Sequence, residues 1–119
     1  MKINLVKWVN ILEAIGHDED MLKAFLKFYK KLKIASWSNP NDIFKTFNSA
    51  DIVKCEAQNR IVFNVGGNKY RLVTGYFFGN KIINLYVKFV GSDKEYDKIK
   101  VCTVNMFEKC KHPSNYICE

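Results

Sequence analysis

Cationic side chains alternate along two stretches of the chain that have the pattern of β-strands. Lys69 and Arg71 begin one stretch, and Lys88 lies near the end of the other. Because successive side chains on a strand point to opposite faces, the pattern predicts that these cations share one face of a sheet. Guanidinium and ammonium groups on one face are suited to binding phosphate groups. The residues predicted on this face are Asn64, Lys69, Arg71, Tyr86 and Lys88.

The turns between these stretches predict how the strands pair. Gly66-Gly67 and Gly79-Asn80 are each typical of a two-residue hairpin loop. The first loop pairs Phe63 with Tyr70, and both together predict a meander of three strands over residues 60–65, 69–78 and 81–90. The face of the meander opposite the cations then forms the core. Its predicted residues are Ile61, Phe63, Tyr70, Leu72, Val87 and Phe89.

The same pairing predicts that Arg71 lies directly opposite Lys88. Two like charges in opposed positions destabilise a sheet by roughly a few tenths of a kcal/mol, and a phosphate between them reverses the sign. Two interpretations of this face therefore stay open. It is either a phosphate-binding surface or a solvated outer face on which both side chains extend into water.

The first third of the chain has the pattern of helices. A strand over residues 2–5 precedes a helix over residues 5–15 that ends at Gly16, and Asp18 is suited to cap the next helix. A breaker at residues 39–41 is followed by a short helical segment. The apolar residues at helical spacing in the second helix are Met21, Leu22, Phe25, Leu26, Tyr29 and Leu32.

The second helix also carries lysines, most of which fall away from its apolar residues: Lys23, Lys27, Lys30 and Lys31. They are either a solvated helix surface or a surface that holds RNA phosphates. In the whole chain, 19 Lys and Arg against 12 Asp and Glu give a formal charge of +7. Such an excess attracts polyanions, which makes nucleic acid the first partner to consider.

Length and hydropathy predict one globular domain in the cytoplasm. The chain has 119 residues, of which 48% are hydrophobic, enough for one core. Asn4, Lys7 and Asn10 interrupt the apolar residues near the N-terminus, so the pattern of a signal peptide is missing. No run approaches the roughly 18 apolar residues of a membrane span.

The four cysteines are expected to be free thiols, because a cytoplasmic compartment is reducing. Cys102, Cys110, His112 and Cys118 include the ligand types of a zinc site, but their spacing does not follow the usual knuckle. Unpaired thiols are therefore favoured over zinc. Neither His112 nor His17 suggests more than a surface histidine.

Two long motifs give the chain a family resemblance. RIVFNVGGNKYRLV at residues 60–73 and FVGSDKEYDKI at residues 89–99 closely resemble the HigB branch of the RelE-like toxins, and WSNPNDI and FNSADIV resemble the segment that precedes them. The resemblance implies an α+β fold, with two N-terminal helices packed on a twisted, mostly antiparallel sheet. It assigns residues 1–99 to the toxin domain and leaves residues 100–119 as a tail of unassigned role.

The resemblance also implies a function. Such proteins are toxins of toxin-antitoxin pairs, which cut mRNA on the translating ribosome and are held inactive by a HigA-like, helix-turn-helix antitoxin. The nucleophile is the RNA's own 2′-hydroxyl, so no metal or other cofactor is expected. Two alternatives stay open: a catalytically weakened module that binds RNA or the ribosome, and the gyrase-poisoning branch of the same fold.

The resemblance assigns roles to individual residues. Lys69 and Arg71 match the cations that neutralise the phosphate, and Tyr96 either stacks on a base or takes part in proton transfer. Asp97 is as well suited to pinning the local backbone. Asp93 stands where the family pattern has histidine, and a carboxylate with a pKa near 4 is a poor acid at neutral pH. RNA contacts are expected from Lys88, Asn64, Asn68, Tyr86 and Lys94.

Overall fold

A computed structural model describes residues 2–106 as two N-terminal helices packed against a five-stranded mixed sheet. The strands are ordered β1-β5-β4-β3-β2, with β1 parallel to β5 and the other pairs antiparallel. The predicted α+β class is confirmed. The elements are β1 (Lys2–Val6), α1 (Trp8–Ile15), α2 (Glu19–Ile34), a 3₁₀ turn (Pro40–Asp42), α3 (Ile43–Thr46), β2 (Asp51–Val53), β3 (Arg60–Val65), β4 (Tyr70–Phe78), β5 (Ile82–Ser92) and α4 (Asp93–Tyr96).

Helix α2 begins and packs as its sequence predicts. The Asp18 side chain accepts a hydrogen bond from the backbone N–H of Met21 at 3.0 Å, which satisfies a donor that the first turn would otherwise leave unpaired. Met21, Phe25 and Leu32 of the predicted apolar residues are buried. Phe28, which the prediction omits, is buried as well, and its ring centroid lies 5.1 Å from that of Phe63. Leu26 differs from the prediction, because it is exposed. No helix within residues 2–106 is long and apolar enough to cross a membrane.

Both hairpin turns lie one residue later than predicted. Gly67 and Asn68 have φ values of 63° and 76°, and the N–H of Lys69 donates to the carbonyl of Gly66. Positive φ at both central residues is what a tight hairpin with the natural strand twist requires, and asparagine tolerates it. Moving a loop by one residue moves the pairing by two, so Phe63 pairs with Leu72 instead of Tyr70 but keeps its face.

The turn of the second hairpin is also shifted by one residue. Gly79 and Ile82 flank the loop, whereas the prediction had Phe78 and Lys81 in these positions. Further along, an irregularity in the ladder changes the faces. Val73 pairs with Phe89 while Thr74 pairs with Val87, which leaves Lys88 as the extra residue of a β-bulge.

The shifted turn and the bulge together make two predictions wrong. Phe89 does not join Leu72 and Val87 in the main core but lies on the other face of the sheet. Arg71 does not face Lys88, because its cross-strand partners are Gly91 on β5 and Asn64 on β3. The predicted like-charge pair is therefore absent. The remaining predicted core residues, Ile61, Phe63, Leu72 and Val87, are buried in the main core, and Tyr70 packs against it.

The sheet face that carries Arg71 is partly covered instead of fully solvated. Val62, Val73 and Phe89 form a second apolar cluster on it, and Tyr96, Ile99, Val101 and Val104 pack against that cluster. Residues 100–106 thus contact the sheet, and the N–H of Met106 donates to the carbonyl of Lys88 at 2.7 Å. The division of the chain at residue 99 stays a prediction.

A disulfide joins Cys55, in the loop after β2, to Cys102. The prediction that these two cysteines are free thiols is wrong. A tertiary contact between residues separated by 47 positions brings their Cα atoms to 5.4 Å, within bonding range. Cys110, His112 and Cys118 lie outside the described residues, and among residues 2–106 no group of three or more ligand side chains could hold a metal ion.

Candidate phosphate-binding site

Arg71 lies at the centre of the candidate site, near the start of β4. One nitrogen of its guanidinium, Nη1, donates to the backbone carbonyls of Asn68 at 2.8 Å and Tyr70 at 3.3 Å. Its side chain is only 16% exposed. The turn that precedes β4 therefore fixes one edge of the guanidinium and directs the group toward the short helix α4.

Asp93, the first residue of α4, forms an ion pair with this guanidinium. Its Oδ1 lies 2.9 Å from Nη2 of Arg71, and its side chain is 51% exposed. A capping box between Ser92 and Glu95 begins the helix, and the N–H of Asp93 donates to the carbonyl of Lys69 at 3.0 Å. The backbone on both sides of the ion pair is thus held by hydrogen bonds.

Tyr96, at the end of α4, lies beside the same guanidinium. The centroid of its ring is 5.7 Å from Cζ of Arg71, within the range of a cation–π interaction, and 6.4 Å from the ring of Phe89. Burial raises the pKa of the Tyr96 phenol. The charge of Arg71 opposes this rise, and the carboxylates of Asp51 and Asp97 add to it. The phenol is therefore protonated at neutral pH and available as a hydrogen-bond donor.

The remaining predicted residues near Arg71 surround this group without contacting the guanidinium through their side chains. Asn64 pairs with Arg71 across the strands, and its amide donates to the carbonyl of Ser49 at 3.0 Å. Lys94 is exposed on α4, and Asp97 is exposed directly after it. Lys69 is exposed in the turn and lines a shallow pocket with residues of α2.

Two predicted RNA-binding residues lie farther along β5. Tyr86 pairs with Gly75 and with Val6 of β1, five residues before Gly91, which corresponds to roughly 16 Å along a strand. Lys88 occupies the bulge, and its carbonyl accepts the bond from Met106. The structure therefore brings Arg71, Asp93 and Tyr96 together, and leaves Tyr86 and Lys88 outside that group.

Arg60 is a supporting residue that the sequence does not reveal. It is buried at the start of β3, and its Nη1 donates to the carbonyls of Val101, at 3.1 Å, and Val104. Burial lowers the pKa of its guanidinium, and its Nε has no hydrogen-bond partner among the described residues. Arg60 thereby attaches the segment after α4 to the sheet. Nothing in the local sequence distinguishes it from a surface cation.

Comparison with known families gives one match. A family model described as HigB_toxin, RelE-like toxic component of a toxin-antitoxin system, matches residues 22–99, roughly two thirds of the chain. The match begins at Leu22, in the first turn of α2, and extends past the end of α4. It includes Arg71, Asp93 and Tyr96. No curated protein matches the chain.

Proposed function

Because the chain belongs to the HigB family of RelE-like toxins, the toxic components of toxin-antitoxin systems, we propose that it is an endoribonuclease that cleaves mRNA on the translating ribosome. The observation that carries the proposal is the Arg71 guanidinium, anchored to two carbonyls and set against the Tyr96 ring inside the matched segment. The family implies an antitoxin partner, and we propose a helix-turn-helix protein similar to HigA. The toxin would act in the cytoplasm, where translation occurs.

The proposed reaction is attack by the RNA's 2′-hydroxyl on the adjacent phosphodiester. A bond forms between the 2′-oxygen and phosphorus while the bond from phosphorus to the 5′-oxygen breaks. The products are a 2′,3′-cyclic phosphate and a 5′-hydroxyl. One proton leaves the 2′-hydroxyl for solvent and another is delivered to the 5′-oxygen, so atoms and charge balance without a cofactor. The protein's main task is to stabilise the negative charge that develops on the phosphate.

Arg71 supplies this stabilisation in our proposal. A guanidinium offers paired N–H donors whose spacing fits two phosphate oxygens, and a group held in advance needs no rearrangement during the reaction. The Lys69 side chain, exposed in the adjacent turn, adds a second cation to the local field. Tyr96 acts as the proton donor to the 5′-oxygen, because its ring lies beside the Arg71 guanidinium and a phenol carries its proton at neutral pH. Asp97 holds the local backbone, because its N–H donates to the carbonyl of Asp93.

A second candidate is a weakened toxin that binds RNA or the ribosome with little cleavage. The observation that favours it is the Asp93 carboxylate on Nη2 of Arg71, where the family pattern has a histidine. A negatively charged side chain near the reacting phosphate repels it, and the imidazole that could transfer a proton is missing. Ribosome binding by the wild-type protein, without any mRNA cleavage, would select this candidate over the first.

Growth arrest and cleavage by the Arg71→Ala variant test the proposed function. We expect induced expression of the wild-type chain to stop growth and to cut mRNA on translating ribosomes, and we expect Arg71→Ala to do neither. Lys81→Ala is the matched control, because it removes the same charge from an exposed position in the β4–β5 turn. Full toxicity of a well-expressed, folded Arg71→Ala variant would contradict the assignment.

A further inference from the structure

Arg71 has its anion-binding edge already occupied within the chain. Of its two terminal nitrogens, Nη1 is used by the carbonyls of Asn68 and Tyr70, and Nη2 is used by the Asp93 carboxylate. A phosphate that binds Arg71 in a bidentate manner needs two N–H donors on one edge of the guanidinium. Because the two carbonyls occupy Nη1, the edge that is left for a phosphate is the one that includes Nη2. The carboxylate of Asp93 therefore lies where a phosphate oxygen would bind.

We infer that Asp93 is a tethered competitor for the phosphate-binding edge of Arg71, so that RNA must displace the carboxylate before the guanidinium can contact the scissile phosphate. This inference rests on the proposed function only for the identity of the anion. Asp93 thus lowers the affinity of the site for phosphate, and this effect is separate from the loss of the family's histidine at the same position.

Both partners have the properties that such a competitor requires. The start of α4 presents Asp93 through the Ser92–Glu95 capping box and the bond from its own N–H to the Lys69 carbonyl, so the carboxylate is positioned by the fold. Its side chain is nevertheless 51% exposed, and ion pairs at the surface contribute little net free energy. Displacement of the Asp93 carboxylate by a phosphate therefore costs little free energy and leaves α4 in place.

Arg71 does not depend on Asp93 for its position. The two carbonyl contacts of Nη1 and the Tyr96 ring hold the guanidinium from other directions. Replacing Asp93 with an uncharged residue should therefore free Nη2 without moving the group. This separates the inference from a structural role for the ion pair, in which loss of Asp93 would disorder Arg71 and weaken RNA binding.

The test is a double-mutant cycle read by the binding of a short 2′-O-methyl RNA, which has no free 2′-hydroxyl and cannot be cleaved by the proposed route. We expect Asp93→Asn to bind about 3- to 10-fold more tightly than wild type, from the lost ion pair and the lost repulsion of phosphate. In an Arg71→Ala background the same substitution should gain less than about 2-fold, because the competitor has no guanidinium to block. Glu56→Gln, exposed in the loop before β3, controls for net charge.

The outcomes separate the inference from the proposed function. If Asp93→Asn and the folded second variant Asp93→Ser bind no more tightly than wild type, the inference is overturned, whether or not the wild type cleaves mRNA. An equal gain in RNA affinity in the presence and absence of Arg71 overturns the inference as well. The carboxylate of Asp93 would then weaken RNA binding through its charge alone and not by occupying Arg71. Absence of cleavage by wild type on ribosomes rejects the nuclease, whereas the binding cycle still decides the role of Asp93.

Discussion

At the scale of single residues, the substitution Tyr96→Phe distinguishes the role of the Tyr96 hydroxyl from the role of its ring. We expect Tyr96→Phe to keep the ring contacts with Arg71 and Phe89, and hence to keep RNA binding, because neither contact uses the phenolic oxygen. Cleavage should fall by about 10²-fold or more if the phenol donates the proton. Single-turnover cleavage on ribosomes, with binding measured separately, checks this prediction.

The pH dependence of cleavage gives a second readout on Tyr96. Because the pKa of the phenol is raised above its ordinary value of 10, wild-type cleavage should show no loss from ionisation of Tyr96 between pH 7 and 9. A loss of rate in this interval that Tyr96→Phe abolishes would show that cleavage needs the protonated phenol but that the phenol loses its proton more readily than its burial implies. The raised pKa, and not the donor role, would then be wrong.

Asp93→His tests what the departure from the family pattern costs. The substitution removes the carboxylate from Arg71 and adds a group that titrates near neutral pH. We expect cleavage to rise above that of wild type and also above that of Asp93→Asn, which frees Arg71 without adding an acid or base. Rapid cleavage by the wild type that histidine does not increase would show that position 93 takes no part in proton transfer.

The members of the candidate site follow from the sequence, but their contacts do not. The family resemblance assigned both Arg71 and Tyr96 to the site, and the structure places the Tyr96 ring 5.7 Å from Cζ of Arg71. The Arg71–Asp93 ion pair was missed, because the predicted register directed Arg71 toward Lys88. A pairing error of a few residues is enough to replace a predicted repulsion with an observed attraction.

At the scale of elements, the predictions succeed where one segment carries its own signal. Helix α2 has both an apolar stripe and the Asp18 cap within a single stretch of chain. Strand β2 was not predicted, because three residues show no alternation and are identified only by their pairing with β3. The bulge at Lys88 likewise depends on two strands at once. Local sequence therefore predicts the elements well and their mutual register poorly.

The disulfide should stabilise the segment that supports Tyr96. Linking Cys55 to Cys102 closes a loop across 47 positions, and the chain-entropy estimate for such a loop is about 4 kcal/mol, with typical measured values of about 2–4 kcal/mol. We expect a thiol reductant to lower the free energy of unfolding by an amount in this range, as measured by urea titration. Amide exchange at Met106, which donates to Lys88, should accelerate as well.

The control for this prediction is a variant with both Cys55→Ser and Cys102→Ser. Its unfolding midpoint should resemble that of the reduced wild type and should be insensitive to reductant, since the cross-link is gone in both. An identical midpoint for wild type with and without reductant would mean that Arg60 and the second apolar cluster hold the segment without help.

At the scale of the whole molecule, the sheet separates two cationic regions. The buried face of α2 contacts β3 through Phe28 and Phe63 in the main core. Arg71 is on the opposite face of the sheet, next to the second apolar cluster. Lys27 and Lys30 are exposed on α2, on the other side of the sheet from Arg71, whereas Lys23 lines the shallow pocket with Lys69 and Tyr70. This placement favours the solvated interpretation of Lys27 and Lys30 for an RNA bound at Arg71.

The salt dependence of RNA binding tests this separation. For a 2′-O-methyl oligonucleotide of about four nucleotides, Arg71→Ala should reduce the slope of log binding constant against log salt concentration by about 0.7, the value for one phosphate contact with a single strand. The double variant Lys27→Gln and Lys30→Gln removes more charge but should leave the slope unchanged. Both side chains are exposed on α2, which lies on the other side of the sheet from Arg71. A reduction as large as that of Arg71→Ala would mean that the RNA contacts the helix. The charge of +7 would then act through direct contacts on both sides of the sheet, and the solvated interpretation would be wrong.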